Sequence, residues 1–138
     1  MKILVIDGMG GGIGKLIIEK INAMRGAAAE DTEIIAVGTN AVAASVMLKA
    51  GADHAATGES AVVYNAKQAD YIIGVVGIAF ANSMHGEVSP KMAKAVSRSR
   101  ARKLLIPMEK CSVTVMGVTP APMQVYVNEA VQKIFNKI

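Results

Sequence analysis

Two kinds of hydrophobic pattern alternate along the chain. Short apolar runs predict strands at 2–6, 33–37, 53–56, 71–73 and 103–106. Stretches with apolar residues every three or four positions predict helices at 12–25, 40–50 and 59–68, from Ser89-Pro90 onwards, and from 122 to the end. Residues 26–32 are expected to form a surface connection, and 112–118 alternate like a possible edge strand.

This alternation of strands and helices is typical of a parallel sheet covered on both faces. Right-handed crossovers would then give a doubly wound α/β fold. We therefore predict one Rossmann-like domain over residues 1–138, with about five parallel strands and a possible edge strand.

A glycine-rich stretch, residues 7–15, lies between the first predicted strand and the first helix. A strand, a tight turn and a helix in this order direct backbone N–H groups and the positive end of the helix dipole at one point, which suits a phosphate. The predicted phosphate-binding residues are Gly8, Gly10, Gly11, Gly12, Ile13, Gly14 and Lys15.

Two common phosphate-loop patterns do not fit this stretch. The spacing G-x-G-x-x-G is not met from Gly8 or from Gly10. A Walker A loop would need glycine at Met9 and a hydroxyl residue at Leu16.

The pattern G-x-x-x-G-I-G is met by Gly8, Gly12, Ile13 and Gly14, and it resembles the turn of short-chain dehydrogenases. The resemblance implies that Gly8 permits the sharp exit from the strand, Gly12 lets a pyrophosphate approach, and Gly14 allows close packing. The Tyr-x-x-x-Lys pair of those enzymes is not met at Tyr64, because the next lysine comes one position early. Their catalytic machinery is therefore not expected here.

A wider resemblance covers nearly the whole chain. Residues 6–14 match I-D-G-x-G-G-G-I-G, the opening of a domain-of-unknown-function family of short bacterial proteins. Further matching stretches are 38–41, 56–59, 82–84 with 86–87, and 106–107 with 111. The resemblance implies a single-domain Rossmann-like fold and no particular reaction.

The second predicted strand ends without the acidic residue that binds the adenosine ribose of NAD. Thr39 and Asn40 follow it, and they can either hydrogen-bond a ribose or cap the next helix, with capping favoured. The cofactor class thus stays open between NAD(P), ATP, a CoA-like molecule and a phosphorylated metabolite.

Residues 82–87 form the second candidate stretch, in a loop at the same predicted sheet edge. His85 is a candidate general base, Ser83 a nucleophile or hydrogen-bond donor, and Asn82 a ligand contact. The alternative is a loop that closes over a ligand without chemistry. A strand order of 3-2-1-4-5 would place this loop opposite the glycine turn, whereas 2-1-3-4-5 would place residues 57–59 there.

Asp7 is the remaining catalytic candidate, since its carboxylate could hold a metal that bridges to a phosphate. The favoured alternative is that it accepts hydrogen bonds from the N–H groups of its own loop. No protein metal site is predicted, because one cysteine and two histidines in separate segments are not a zinc pattern. Cys111 is interpreted as a small buried hydrophobe beside Lys110.

Composition restricts the partners. The chain has 138 residues, 52% hydrophobic and 19% charged, which excludes a disordered tail and indicates apolar surface buried between subunits of a homo-oligomer. The net charge of +4 is concentrated at 91–103, either as a solvated helix end, the favoured interpretation, or as a patch for an acidic partner. Nucleic acid is not an expected partner, because no aromatic residues interleave these charges.

The single cysteine suits a reducing compartment. The apolar run at the N-terminus is too short for a signal peptide, and the longest uncharged run, 71–84, is too short to span a bilayer. We therefore expect a cytoplasmic protein with no membrane partner. Its expected function is to bind a nucleotide or a phosphorylated small molecule, with the reaction open. The alternative is a non-catalytic sensor, regulatory or scaffold subunit that acts through a protein partner.

Overall fold

A computed structural model describes residues 1–26, 31–109 and 112–136. Within these residues the strands form one all-parallel sheet of order β3-β2-β1-β4-β5. The strands are β1 (Lys2–Asp7), β2 (Glu33–Gly38), β3 (His54–Thr57), β4 (Tyr71–Val75) and β5 (Arg102–Ile106). The helices are α1 (Gly12–Arg25), α2 (Ala41–Lys49), α3 (Glu59–Ala66), α4 (Pro90–Arg98) and α5 (Met123–Phe135). The predicted Rossmann-like α/β class is thus confirmed.

Helices cover both faces of the sheet. Side chains of β1 alternate between two cores, with Ile3 and Val5 on one face and Leu4 and Ile6 on the other. The first core contains buried residues of α1, α2 and α5, and the second contains those of α3 and α4. Because both faces of β1 are buried, its sequence is a continuous apolar run rather than an alternating one.

The strand order matters for function. The chain moves from β1 outwards to β2 and β3, and then returns to the other side of β1 with β4 and β5. The order therefore reverses between β1 and β4, and the loops that follow these two strands diverge there. Of the two orders considered, 3-2-1-4-5 is confirmed, and it brings the 82–87 loop to the glycine turn.

The predicted edge strand at 112–118 is wrong. The backbone there is irregular, with left-handed conformations at Ser112 (φ 56°) and Gly117 (φ 87°). Beyond it, the Tyr126 hydroxyl donates to the carbonyl of Thr119 at 2.7 Å and accepts from the N–H of Ala121 at 2.9 Å. An alternating pattern is typical of a half-buried strand, but 112–118 is exposed except for the partly buried Val113, so the segment has neither the burial nor the strand pairing that the pattern suggested.

Most element boundaries lie close to those predicted. Ser89 caps α4 by accepting a hydrogen bond from the N–H of Met92, with Pro90 in the first turn. Strands β1, β2 and β4 extend one or two residues further than predicted, through Asp7, Gly38 and Val75. Predictions on residues 27–30, on Lys110 and Cys111, and on residues 137–138 lie outside the described residues. In the described part of the chain, no helix is long and apolar enough to cross a membrane.

Candidate functional site

A cleft of about 710 Å³ opens at the carboxyl ends of β1 and β4, where the strand order reverses. Its volume lies in the range of small-molecule sites in proteins, roughly 300 to 1,000 Å³. We call it the glycine-turn cleft. Its described lining comprises residues 7–13, Val75, Asn82, Met84, His85, Met108 and Ser112.

Two glycines of the turn are required by the packing of the protein itself. A side chain at Gly14 would collide with Met47 of α2, and one at Gly8 would lie 2.7 Å from the sulfur of Met84. Gly11, the residue before α1, has φ 73° and also lies against α2. A Cβ at Gly14 would also lie 3.0 Å from the Cβ of Asp7 in β1, so α1 packs closely against both a helix and a strand at this residue.

Gly10 and Gly12 differ from those glycines. Neither has a left-handed φ, and within the described residues nothing lies within 4 Å of a Cβ added at either position. Both line the cleft. The fold therefore does not require glycine at these two positions, and the open space beside their backbone is available to a ligand.

The carboxylate of Asp7, at the end of β1, binds the two ends of the glycine turn. Its side chain is buried, with Oδ1 2.8 Å from the N–H of Gly8 and Oδ2 2.6 Å from the N–H of Gly14. Burial raises the pKa of this carboxyl above its ordinary value, while the backbone N–H groups of Gly14 and Gly8 act in the opposite direction. The geometry agrees with the interpretation that Asp7 binds the N–H groups of its own loop. Within the described residues, no group of three or more His, Cys, Asp or Glu side chains could hold a metal ion.

The carboxylate of Glu87, in the loop between β4 and α4, also contacts the glycine turn. Its Oε1 accepts hydrogen bonds from the Thr39 hydroxyl at 2.5 Å, from Nδ2 of Asn40 at 2.8 Å, and from the N–H of Met9 at 3.2 Å. The hydroxyl of Thr39 and then the amide of Asn40 lower the pKa of Glu87. This carboxylate thus joins the glycine turn to the end of β2.

Sequence reasoning did not assign this role to Glu87. Its three partners come from two other segments, and no spacing rule connects them. The available signal was its position, because an acidic residue at the carboxyl edge of a parallel sheet meets backbone N–H groups from neighbouring strands.

Thr39 and Asn40 lie outside the described lining of the cleft. Asn40 caps α2, since its Oδ1 accepts a hydrogen bond from the N–H of Ala43 at 2.8 Å. Lys15 is exposed on α1 and also lies outside that lining. The structure therefore does not bring these three predicted cofactor contacts to the cleft.

The 82–87 loop contributes Asn82, Met84 and His85 to the cleft. Ser83 does not line it, and its hydroxyl donates a hydrogen bond to the carbonyl of Gly77. The structure thus places two of the three catalytic candidates, Asp7 and His85, at the cleft, and Asp7 is engaged by backbone N–H groups.

Backbone strain is concentrated at this cleft. Within the described residues, five non-glycine residues have φ between 51° and 67°. All five line the cleft: Met9, Asn82, Met84, His85 and Ser112. Each such residue costs on the order of 1 to 3 kcal/mol, and conformations of this kind cluster at functional sites.

The lining of the cleft combines polar groups with methionines. Polar groups come from the glycine turn, Asn82, His85 and Ser112, and thioether side chains come from Met9, Met84 and Met108. Met84 and Met108 also pack against the core on the α3–α4 face of the sheet, whereas Met9 is exposed. Thioethers pack well against aromatic rings, so the cleft can accept a molecule with both a polar group and a ring.

Fold and cleft together define a Rossmann-like parallel α/β protein with a small-molecule-sized cleft at its switch point. Residues 2–138 match the family described as "Domain of unknown function (DUF3842)", and the chain belongs to this family. No curated protein and no solved structure match the chain.

Proposed function

We propose that the protein binds a nucleotide or another phosphorylated small molecule in the glycine-turn cleft. The observation that carries this proposal is the open backbone at Gly10 and Gly12, where neither φ nor packing requires glycine. Among the described residues, the hydrogen bonds of the turn use the N–H groups of Gly8, Met9, Gly11 and Gly14. They leave those of Gly10 and Gly12 for an anionic group at the start of α1.

The geometry supports a ligand of mononucleotide size. The cleft extends from the glycine turn towards β4 and β5, as its lining by Val75 and Met108 shows. In a Rossmann fold, the adenosine half of a dinucleotide lies at the end of β2. Here the side chain of Glu87 fills that region, because it is hydrogen-bonded to Thr39 and Asn40, so the available space suits a mononucleotide better than a dinucleotide. The phosphate would lie at Gly10 and Gly12, with a base or other ring against the methionines.

The contacts support binding without chemistry better than catalysis. The carboxylate of Asp7 and the hydroxyl of Ser83 both bond to backbone groups, so neither is an available nucleophile or base. His85 lines the cleft in a strained loop. We therefore favour a sensor or regulatory protein whose 82–87 loop responds to the ligand.

Thermal unfolding with a ligand panel tests the proposal. The panel comprises mononucleotides, ATP, GTP, NAD(H), NADP(H), CoA and sugar phosphates. A compound at a hundred times its Kd adds about 2.7 kcal/mol to the free energy of unfolding, which raises Tm by several degrees. We expect a mononucleotide-sized compound to produce this shift. The absence of any shift at millimolar concentrations would refute the proposal.

The variant Gly12→Leu tests whether the ligand binds in the glycine-turn cleft. The position is exposed and unobstructed, so the variant should fold, and its side chain should fill the cleft and abolish the ligand-induced shift. Glu19→Leu is the matched control, since it adds leucine at an exposed position of the same helix outside the cleft lining. An unchanged shift in Gly12→Leu would place the ligand elsewhere.

A further inference from the structure

A second cavity lies between α3 and α4, away from the carboxyl edge of the sheet. This α3–α4 groove has a volume of about 650 Å³. Its floor contains Val63, Ala66 and Ala95, and its rim carries five cationic side chains. They are Lys67, Lys91, Lys94, Arg98 and Arg100.

Among the described residues, the rim meets no counter-charge. The described lining of the groove includes no Asp or Glu. Among residues 1–26, 31–109 and 112–136, the Arg25–Asp53 ion pair and the Glu33–His54 contact lie elsewhere. All five cations are on exposed residues, so their charged groups are free to meet an anion from solution.

A solvated helix end explains only part of this arrangement. Arg98, in the last turn of α4, is favoured by the helix dipole, but Lys91 follows Pro90 in the first turn, where the dipole disfavours a cation. Lys91 and Lys94 are three positions apart, and Lys94 and Arg98 are four apart, so like charges face each other along the helix. This repulsion destabilises the unliganded helix, and a bound anion would relieve it.

We propose that the α3–α4 groove is a binding site for a compact polyanion, a molecule that carries several phosphate or carboxylate groups close together. The charges converge on one concave surface from three segments, namely the end of α3, the length of α4 and the turn before β5. A polyanion of a few ångströms in size can meet several of them at once. The small apolar floor accepts a short hydrocarbon part. This site is independent of the one proposed at the glycine turn.

Titration calorimetry with sodium tripolyphosphate tests the site. The wild-type protein should bind it in a salt-sensitive manner, because exposed charges are screened by added salt. The triple variant Lys91→Gln, Lys94→Gln, Arg98→Gln should bind at least about tenfold more weakly, since it removes three charges of the rim. The control Lys20→Gln, Lys49→Gln, Lys133→Gln removes the same net charge outside the groove and should bind within about twofold of wild type.

The outcomes separate the alternatives. Equal weakening in the two triple variants would show a general effect of net charge and overturn the proposal, as would the absence of binding by wild type. Binding of a 20-base-pair duplex at concentrations where tripolyphosphate does not bind would overturn it in favour of nucleic acid. The Gly12→Leu variant should retain tripolyphosphate binding, which distinguishes this site from the glycine-turn cleft.

Discussion

At the scale of single residues, two carboxylates shape the glycine turn by different means. Asp7 is buried and receives N–H groups from both ends of the turn, whereas Glu87 approaches from the β4–α4 loop and receives a hydroxyl, an amide and one N–H. Burial raises the pKa of Asp7, and hydrogen bonds lower that of Glu87. Both residues therefore act first as acceptors that hold backbone in place.

Asp7→Asn tests the buried acceptor. The asparagine amide has one oxygen, so its NH₂ would face the N–H of Gly8 or of Gly14. Leaving one buried donor unpaired should lower the free energy of unfolding by about 1 to 3 kcal/mol. Urea denaturation measures this loss, and a variant as stable as wild type would contradict the role of Asp7.

The same variant isolates a pH dependence. Because the folded-state pKa of Asp7 is raised above 3.8, the folded protein binds more protons than the unfolded chain in that range. The contribution of Asp7 is complete below 3.8 and declines as the pH rises through the folded-state pKa. The lowered pKa values of Glu87 and Asp53 act in the opposite direction. The contribution of Asp53 cancels in the difference between wild type and Asp7→Asn, while the repulsion between Asp7 and Glu87 is part of that difference. That difference should shrink as the pH rises, and a difference that grows would contradict the assignment.

Among the secondary-structure elements and their connections, the β4–α4 connection contributes the most strained residues to the lining of the cleft. It supplies three of the strained residues, and the carboxylate of Glu87 at its end is bonded to the end of β2. Helix α4 then begins at Pro90 with the Ser89 cap. A strained loop between a buried strand and a capped helix is held by its surroundings, and a ligand can shift its balance of conformations.

His85→Gly tests the strain in this loop. Glycine adopts φ 56° without steric cost, so the variant should be more stable than wild type by roughly 0.5 to 1 kcal/mol and should bind the cleft ligand more weakly. Ala81→Gly is the control, an exposed position of the same connection outside the left-handed region, and should lose stability. Urea denaturation and the ligand-induced Tm shift provide the two measurements. A destabilised His85→Gly variant would argue against stored strain.

At the scale of the whole molecule, three surface regions differ in shape, charge and polarity. The glycine-turn cleft lies at the carboxyl edge of the sheet, and the α3–α4 groove lies between the two helices that cover one face. Beyond β5, exposed apolar side chains lie in the segment before α5 and in its first turn: Val115, Met116, Val118 and Val125. We propose that this third region is the subunit contact of the homo-oligomer that composition predicts.

Sedimentation equilibrium tests that expectation. We predict that the wild-type protein is a homo-oligomer and that the double variant Met116→Glu, Val125→Glu dissociates, because charges would be buried against apolar surface. Val42→Glu is the control, since Val42 is a 63% exposed apolar residue on α2. A monomeric wild type at high micromolar concentration would refute the prediction. If the Val42→Glu control dissociated to the same extent, the subunit interface would not be specific to the region around Met116 and Val125.

The fold class and the location of the glycine turn follow from the sequence pattern alone. The continuous apolar run at residues 3–6 requires burial on both faces, and the glycine stretch can follow it only as a tight turn before α1. The Ser89 cap of α4 is equally local, since its hydroxyl bonds a backbone N–H three residues ahead. Such features can be predicted because they depend only on residues that are close in the sequence.

The residues that surround that turn depend instead on tertiary packing. Strand order placed the 82–87 loop opposite it, and only then could Glu87 meet Met9, Thr39 and Asn40. The wrong edge strand at 112–118 has the same origin, because the partner of an alternating segment is set by distant packing. The distinction between glycines required by the fold and the open positions Gly10 and Gly12 also needed coordinates, since it depends on atoms contributed by other elements.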